Sequence, residues 1–296
     1  MAKTRFQGDS GLTWRMGVVG VLLALLYLGF GAFLVVKSGF AVGLVIVVGL
    51  AWAQWYFSDT LALKSMRARV VTPEQAPELH GMIDRLVAMA DMPKPRVAVA
   101  DTDLPNAFAT GRTPDHAVLC VTTGLLRRLN AEELEGVLSH ELAHVANRDV
   151  AVMTVASTLG LLAGFITRWG LYLGGGNRNN NGVPVWLVVW LVSILVYVVS
   201  FLLTRSLSRY RELSADRCGA FLTGRPSALA SALTKISGEM ARIPTRDLRS
   251  AEAMNAFFFA PAIRGRQVSS LLATHPPLEV RLDQLAKVSA QLGRPQ

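Results

Sequence analysis

Cysteine is scarce in this chain of 296 residues. Cys120 and Cys218 are the only two, too few for a disulfide framework, so neither a disulfide-stapled scaffold nor a redox centre is expected. Charge is scarce as well: Asp, Glu, Lys and Arg make up 17% of the residues against 51% hydrophobic ones, a ratio that excludes a disordered chain. No G-x-x-x-x-G-K-[ST] loop occurs, so no P-loop ATPase and no ATP as a partner is expected. Acidic residues are outnumbered, 21 against 30 basic ones, for a net charge of +9. That excess is not gathered into a nucleic-acid stripe, and no nucleic acid is expected as a partner.

The hydrophobic residues are banked into four blocks: 16–36, 39–57, 150–166 and 183–203. At 1.5 Å per residue the first reaches roughly the 30 Å thickness of the hydrocarbon layer, and the second ends in Trp55 and Tyr56, where interfacial aromatics belong. The two read as a transmembrane hairpin, 16–57. A cleaved signal peptide is the rival for the first block, but 21 apolar residues exceed an ordinary h-region and a second span follows at once. The later pair reads as a second hairpin, 150–203, around the loop-like stretch from Arg168 to Asn181; a buried hairpin that does not fully cross is its alternative. Lys3, Arg5 and Arg15 precede the first block, Lys64, Arg67 and Arg69 follow the second, and Arg205, Arg209 and Arg211 follow the fourth. The positive-inside rule then puts the N-terminal 1–15, the 58–149 region and the 204–296 region in the cytoplasm, in a multi-pass inner-membrane protein. These basic residues have their explanation in topology and anionic lipid.

Between the hairpins the pattern becomes mixed. Thr72, Pro73 and Gln75 supply an N-cap, an N1 proline and a capping-box partner for a helix that Pro93 and Pro95 end. RVAVA, NAFAT and HAVLCVT are short β-prone runs between turn residues, which predicts a small antiparallel sheet. The expected fold is therefore α+β and predominantly α. It combines four apolar helices in two hairpins with a cytoplasmic domain built around the small sheet.

Asn130, with Glu133 at N3, caps a helix that contains His140, Glu141 and His144 in the order H-E-x-x-H. Positions i and i+4 share a helix face, so both imidazoles can reach one metal ion while Glu141 projects beside it. Two neutral ring nitrogens begin a zinc site, and a hydrolytic zinc needs a third protein ligand with a fourth position left open. The candidate is Glu212, just beyond the fourth block. Asp216 lies one turn on, placed to accept the second N–H of a ligand histidine. The plainer alternative for Glu212 and Asp216 is a solvated helix face among arginines. Because the third block follows Asp149 directly and Glu212 follows the fourth, both ends of the second hairpin would bring ligands to the same height, just above the cytoplasmic membrane surface. His80 and His116 have no ligand partner at useful spacing, and Cys218 reads as helix packing.

Taken together, SHELAHVANRD, PNAFATGR, VTTGLLRRL, ELSADRCGA and THPPLEVRL resemble the HtpX-type membrane zinc metalloproteases, gluzincins related to the CAAX prenyl endopeptidases. The resemblance covers nearly the whole chain and both hairpins. It implies His140, His144 and Glu212 as ligands of one zinc per subunit and Glu141 as catalytic base. It further implies that Asn106 holds the substrate backbone and that His275 steadies the oxyanion. From the residues alone, Asn106 is equally a turn residue and His275 a cap before Pro276 and Pro277. The FFFAPAIRGRQ stretch is uninformative.

The expected reaction is metal-assisted peptide hydrolysis, with an extended substrate adding to a sheet edge and hence loose sequence preference. The resemblance implies quality control under stress: clearance of misfolded or damaged membrane proteins, cut in their cytoplasmic parts, with self-cleavage as a side reaction. Three rivals are distinguishable. An intramembrane protease would carry its motif inside an apolar span, whereas here EELE precedes it and NRD follows. A CAAX-type prenyl endopeptidase shares the ligands but needs a larger helical chamber. An inactive membrane scaffold would have no need of Glu141.

Overall fold

The structure, a computed structural model, describes residues 10–38, 45, 48–49, 52–53, 55–173, 185–242 and 275–293. In chain order its elements are α1 (Ser10–Ser38), α2 (Ser58–Ser65), β1 (Arg69–Val70), α3 (Pro77–Ala90), β2 (Arg96–Ala100), β3 (Ala107–Thr110) and β4 (Val118–Thr122). There follow α4 (Thr123–Arg128), α5 (Ala131–Ala146), α6 (Asp149–Leu173), α7 (Val185–Thr223), α8 (Pro226–Arg242) and α9 (Leu278–Gln291). The fold is mostly helical α+β, as the sequence suggested.

The helix expected from Pro73 starts one turn later, at Pro77, with Ala76 as N-cap. A helix begun at Pro73 would carry Pro77 in its interior, where the ring clashes with the carbonyl four residues back. Residues 72–76 form a turn instead, in which the Thr72 N–H donates to Gln75 Oε1 at 3.0 Å. The other end falls where the prolines require: Asp91 adopts a left-handed φ of 50° and its N–H closes on Val87 O.

The small sheet has the order β1-β2-β4-β3 and is mixed, which corrects the expectation of an antiparallel sheet. β1 with β2 and β3 with β4 are antiparallel, whereas β2 and β4 run parallel over five residue pairs, from Arg96 beside Val118 to Ala100 beside Thr122. Turning back from β3, β4 inserts between it and β2 and so takes the direction of β2. Its residues VLCVT are all buried, the signature of a central strand covered on both faces, where alternation is lost. On one face Val97, Leu119 and Val121 join the main core with Ile83 and Leu86 of α3 and Leu138 and Leu142 of α5. On the other, Ala98, Phe108, Val118 and Cys120 pack against Ala62 of α2.

α1, α6 and α7 pack together through Phe30, Leu162, Ile166, Val189 and Val196. Their outer faces are unlike those of a water-soluble bundle: Leu25, Leu28 and Leu195 are 62%, 73% and 63% exposed. Two helical stretches among the described residues, Thr13–Phe33 and Trp186–Thr223, are long and apolar enough to cross a membrane. The third apolar block lies in α6, where the apolar stretch Asp149–Gly164 is shorter than a full span. Block 39–57 falls largely outside the described residues, so two of the four expected apolar helices reach spanning length there. The loop expected from Arg168 begins later, because α6 continues to Leu173; the rest of that loop, and the FFFAPAIRGRQ stretch, lie outside the described residues.

Candidate metal centre

α5 carries the site, and its start is fixed as the sequence predicts. The Glu133 N–H donates to Asn130 Oδ1 at 2.9 Å and the Asn130 N–H donates to Glu133 Oε2 at 3.0 Å, a closed capping box. Glu133 also meets Ser231 at 2.6 Å and Lys235 at 2.8 Å on α8. From this anchored end the helix runs through the core to His140, Glu141 and His144. α7 crosses close by because Gly219 lacks a side chain: a Cβ there would lie 2.9 Å from both the His140 N and Ser139 Oγ. Ser139 Oγ sits 2.7 Å from Gly136 O and 3.3 Å from Gly219 O across this seam.

The close crossing brings three donors to one point. His140 Nε2 and His144 Nε2 are 3.0 Å apart, and Glu212 of α7 places Oε1 3.5 Å from His144 Nε2 and Oε2 3.8 Å from His140 Nε2. All three donor atoms lie within 4.8 Å of one another, so the group could hold a metal ion. The outer ring nitrogens decide how well it would do so. His140 Nδ1 is 2.9 Å from Asp216 Oδ1, and His144 Nδ1 faces Asp149 Oδ2. With a hydrogen on each Nδ1, both Nε2 atoms turn lone pairs toward each other, an arrangement that favours a cation between them. Burial pushes the His140 imidazole down to about 4, which keeps it neutral and able to ligate. Two imidazoles and a carboxylate are a donor set that suits zinc.

Glu141 stands beside the cluster, buried, and its Oε2 accepts the Ala109 N–H at 3.0 Å. Ala109 lies on β3, the edge strand next to α5. Burial pushes the Glu141 carboxyl up to about 7, opposed by the nearby His144, into the range useful to a general base at neutral pH. His275 is brought in from just before α9, with Nδ1 3.1 Å from Glu212 Oε2. Asn106 stands at the head of β3, fully buried, its backbone N–H donating to Thr122 Oγ1 at 2.9 Å. The histidines read as uninvolved are occupied elsewhere: His80 Nε2 meets Val71 O at 3.1 Å, and His116 Nδ1 meets Thr113 Oγ1 at 2.9 Å. Cys218 packs with Ala143 and Ala215.

Three residues escaped the sequence reading. Arg281 of α9 grips Asp216 through two bonds, Nε to Oδ2 at 2.7 Å and Nη2 to Oδ1 at 2.6 Å. Asp149, read only as the boundary of an apolar block, and Arg211, read only as a topological charge, pair with each other behind His144. No spacing rule joins them, because the partners lie on different helices.

A buried H-E-x-x-H helix with a glutamate on a crossing helix defines the class: a helix-based metallopeptidase. A match to peptidase family M48 spans residues 73–289. The protease HtpX homolog 1 of Streptomyces coelicolor is 59% identical over 98% of this chain and 97% of its own length. The HtpX homologs of Moorella thermoacetica and Pyrococcus furiosus are 52% and 39% identical, each over 96% of this chain and over 96% and 98% of their own lengths. The crystal structure of S. mikatae Ste24p resembles the fold with a TM-score of 0.50 at 17% identity, covering 90% of this chain and 67% of that one. The chain belongs to peptidase family M48 and is a membrane-associated metallopeptidase of the HtpX type.

Proposed function

We propose that the chain is a membrane-embedded zinc endopeptidase that cleaves misfolded or damaged membrane proteins on their cytoplasmic side. His140, His144 and Glu212 hold one zinc ion, and Glu141 is the general base. The observation that carries this reading is the convergence of those three donors within 4.8 Å with a buried carboxylate alongside. When bound, zinc supplies Lewis acidity toward a water molecule and the scissile carbonyl. Everything else is the work of the chain. Glu141, held by the Ala109 N–H, takes a proton from the attacking water and passes it to the leaving amine. β3 is an edge strand, so an extended peptide adding to it would pass beside Glu141, bound through its backbone and with little sequence preference. Asp216 fixes the tautomer of His140. His275 steadies the oxyanion, and Asn106 holds the substrate backbone. Support for a membrane substrate comes from the exposed apolar faces of α1 and α7 around a site at the foot of α7. The basic residues flanking these helices favour a cytoplasmic site and cytoplasmic termini.

The test is zinc content and casein cleavage, side by side, for the detergent-purified full chain and Glu141→Gln. One zinc in both, with cleavage about 10²- to 10⁴-fold lower in the variant, is expected from the loss of a general base. Equal cleavage by both would remove Glu141 from the mechanism. Zinc in both without cleavage by either would overturn the broad-specificity reading in favour of a narrow substrate such as a prenylated peptide.

A further inference from the structure

Behind the three donors the site is braced twice, and the two braces differ in origin. His140 leans on Asp216, which is gripped by Arg281 of the C-terminal helix α9. His144 leans on Asp149, which is paired with Arg211. Asp149 opens α6 directly after Arg148, whose left-handed φ of 55° turns the chain out of α5. Its carboxylate therefore sits at a helix N-terminus, where a negative charge is favoured. Arg211 reaches it from α7 and also donates from Nη2 to Asn147 O at 2.9 Å, the C-cap carbonyl of α5. Asp149 and Arg211 are both 8% exposed. Two charges withdrawn from water to this extent are costly unless paired, so their neighbours must keep them together. Arg211 also immediately precedes Glu212.

We propose that Asp149 and Arg211 are a positioning pair that fixes His144 against the helix carrying Glu212, at the junction where α5, α6 and α7 meet. Asp149 accepts the Nδ1–H of His144 and so directs Nε2 into the site. Arg211 ties Asp149 and the end of α5 to the helix turn that presents the third donor. The distance between the second and third ligands is thereby set at the foot of the apolar helices rather than within the sheet domain. This inference rests on the metal-site reading proposed above.

The experiment measures zinc affinity by chelator competition and the visible absorption of the cobalt-substituted protein, using the detergent-purified full chain. Asp149→Ala and Arg211→Met are expected to weaken zinc binding about 10- to 100-fold, the usual consequence of losing a partner behind a ligand. Both should shift the cobalt bands, which report ligand geometry. Arg211→Lys, which keeps the charge, should recover part of the affinity lost in Arg211→Met. The double variant should bind no more weakly than the worse single one, because the pair acts as a unit. A merely structural role would lower the thermal midpoint while leaving affinity and spectrum untouched, and that result in Asp149→Ala and Arg211→Met would overturn the proposal. His144→Ala distinguishes the levels. Wild type that takes up no metal, or His144→Ala that binds as tightly as wild type, overturns the metal-site reading itself.

Discussion

The two halves of α7 satisfy their buried polar residues in different ways. In the first half Leu191 and Leu195 are exposed, whereas Ser193 is buried and returns its hydroxyl to Val189 O at 2.7 Å within the same helix. In the second half Arg211, Glu212 and Asp216 are buried, and each meets a charged or imidazole partner from another element. One continuous helix thus has the two modes of burial expected of a helix that passes from lipid into protein. Where lipid surrounds it, apolar side chains are free to face outward and polar groups must be satisfied locally. Where protein surrounds it, polar groups are worth burying once several elements converge on them. The candidate metal centre begins where the second regime does.

The sharpest way to break this contrast is to remove charge from the second half. Arg281→Met would leave the buried Asp216 carboxylate without its guanidinium, at a cost of about 3–5 kcal/mol. A marked fall in the thermal midpoint of the purified protein is expected, and an unchanged midpoint would show that water reaches Asp216. The converse change adds charge to the first half. Leu195→Lys should cost about 2.5–3.5 kcal/mol of insertion free energy if that face meets lipid, read as loss of the protein from the membrane fraction. On a face exposed to water the same substitution would fall within about 0.5 kcal/mol of neutral.

Gly219→Ala probes the seam where the second half meets α5. Its new Cβ, 2.9 Å from the His140 N, would force the two helices apart and cost about 1–3 kcal/mol. Zinc affinity should fall with stability, because the same displacement separates Glu212 from His140. The smallest effect concerns the capped start of α5. The hydrogen bonds Glu133 accepts outweigh its burial and hold its carboxyl below the usual value. A depressed folded value means that its contribution is present above the unfolded carboxyl's range and is lost as pH falls through the folded one. An acid-unfolding titration should therefore show the advantage of wild type over Glu133→Gln shrinking below about pH 4. A constant difference across that range would exclude the ionised carboxylate as its source.

Local features of the site were legible in sequence because they depend on one helix at a time. The four-residue step from His140 to His144, the same step from Glu212 to Asp216, and the capping box of Asn130 with Glu133 follow from helical geometry alone. The mixed sheet was not legible, because pairing β2 with β4 depends on which strand inserts between which, and short β-prone runs of similar character do not encode that. Nor was the start of α3, where two prolines competed for the first turn and only the later one could take it.

The sequence by itself determined the chemistry on offer: a H-E-x-x-H helix, a glutamate one short segment beyond an apolar block, and apolar lengths that suit a bilayer. Periodicity and hydropathy are properties of contiguous residues, so they survive without a fold. Only the tertiary structure decided that the three donors meet, that β3 offers Glu141 its Ala109 N–H, and that Asp149 with Arg211 and Asp216 with Arg281 stand behind the histidines. Those partners are up to 76 residues apart in sequence, as His140 is from Asp216, and what brings them together is the packing of α5 and α9 against α7.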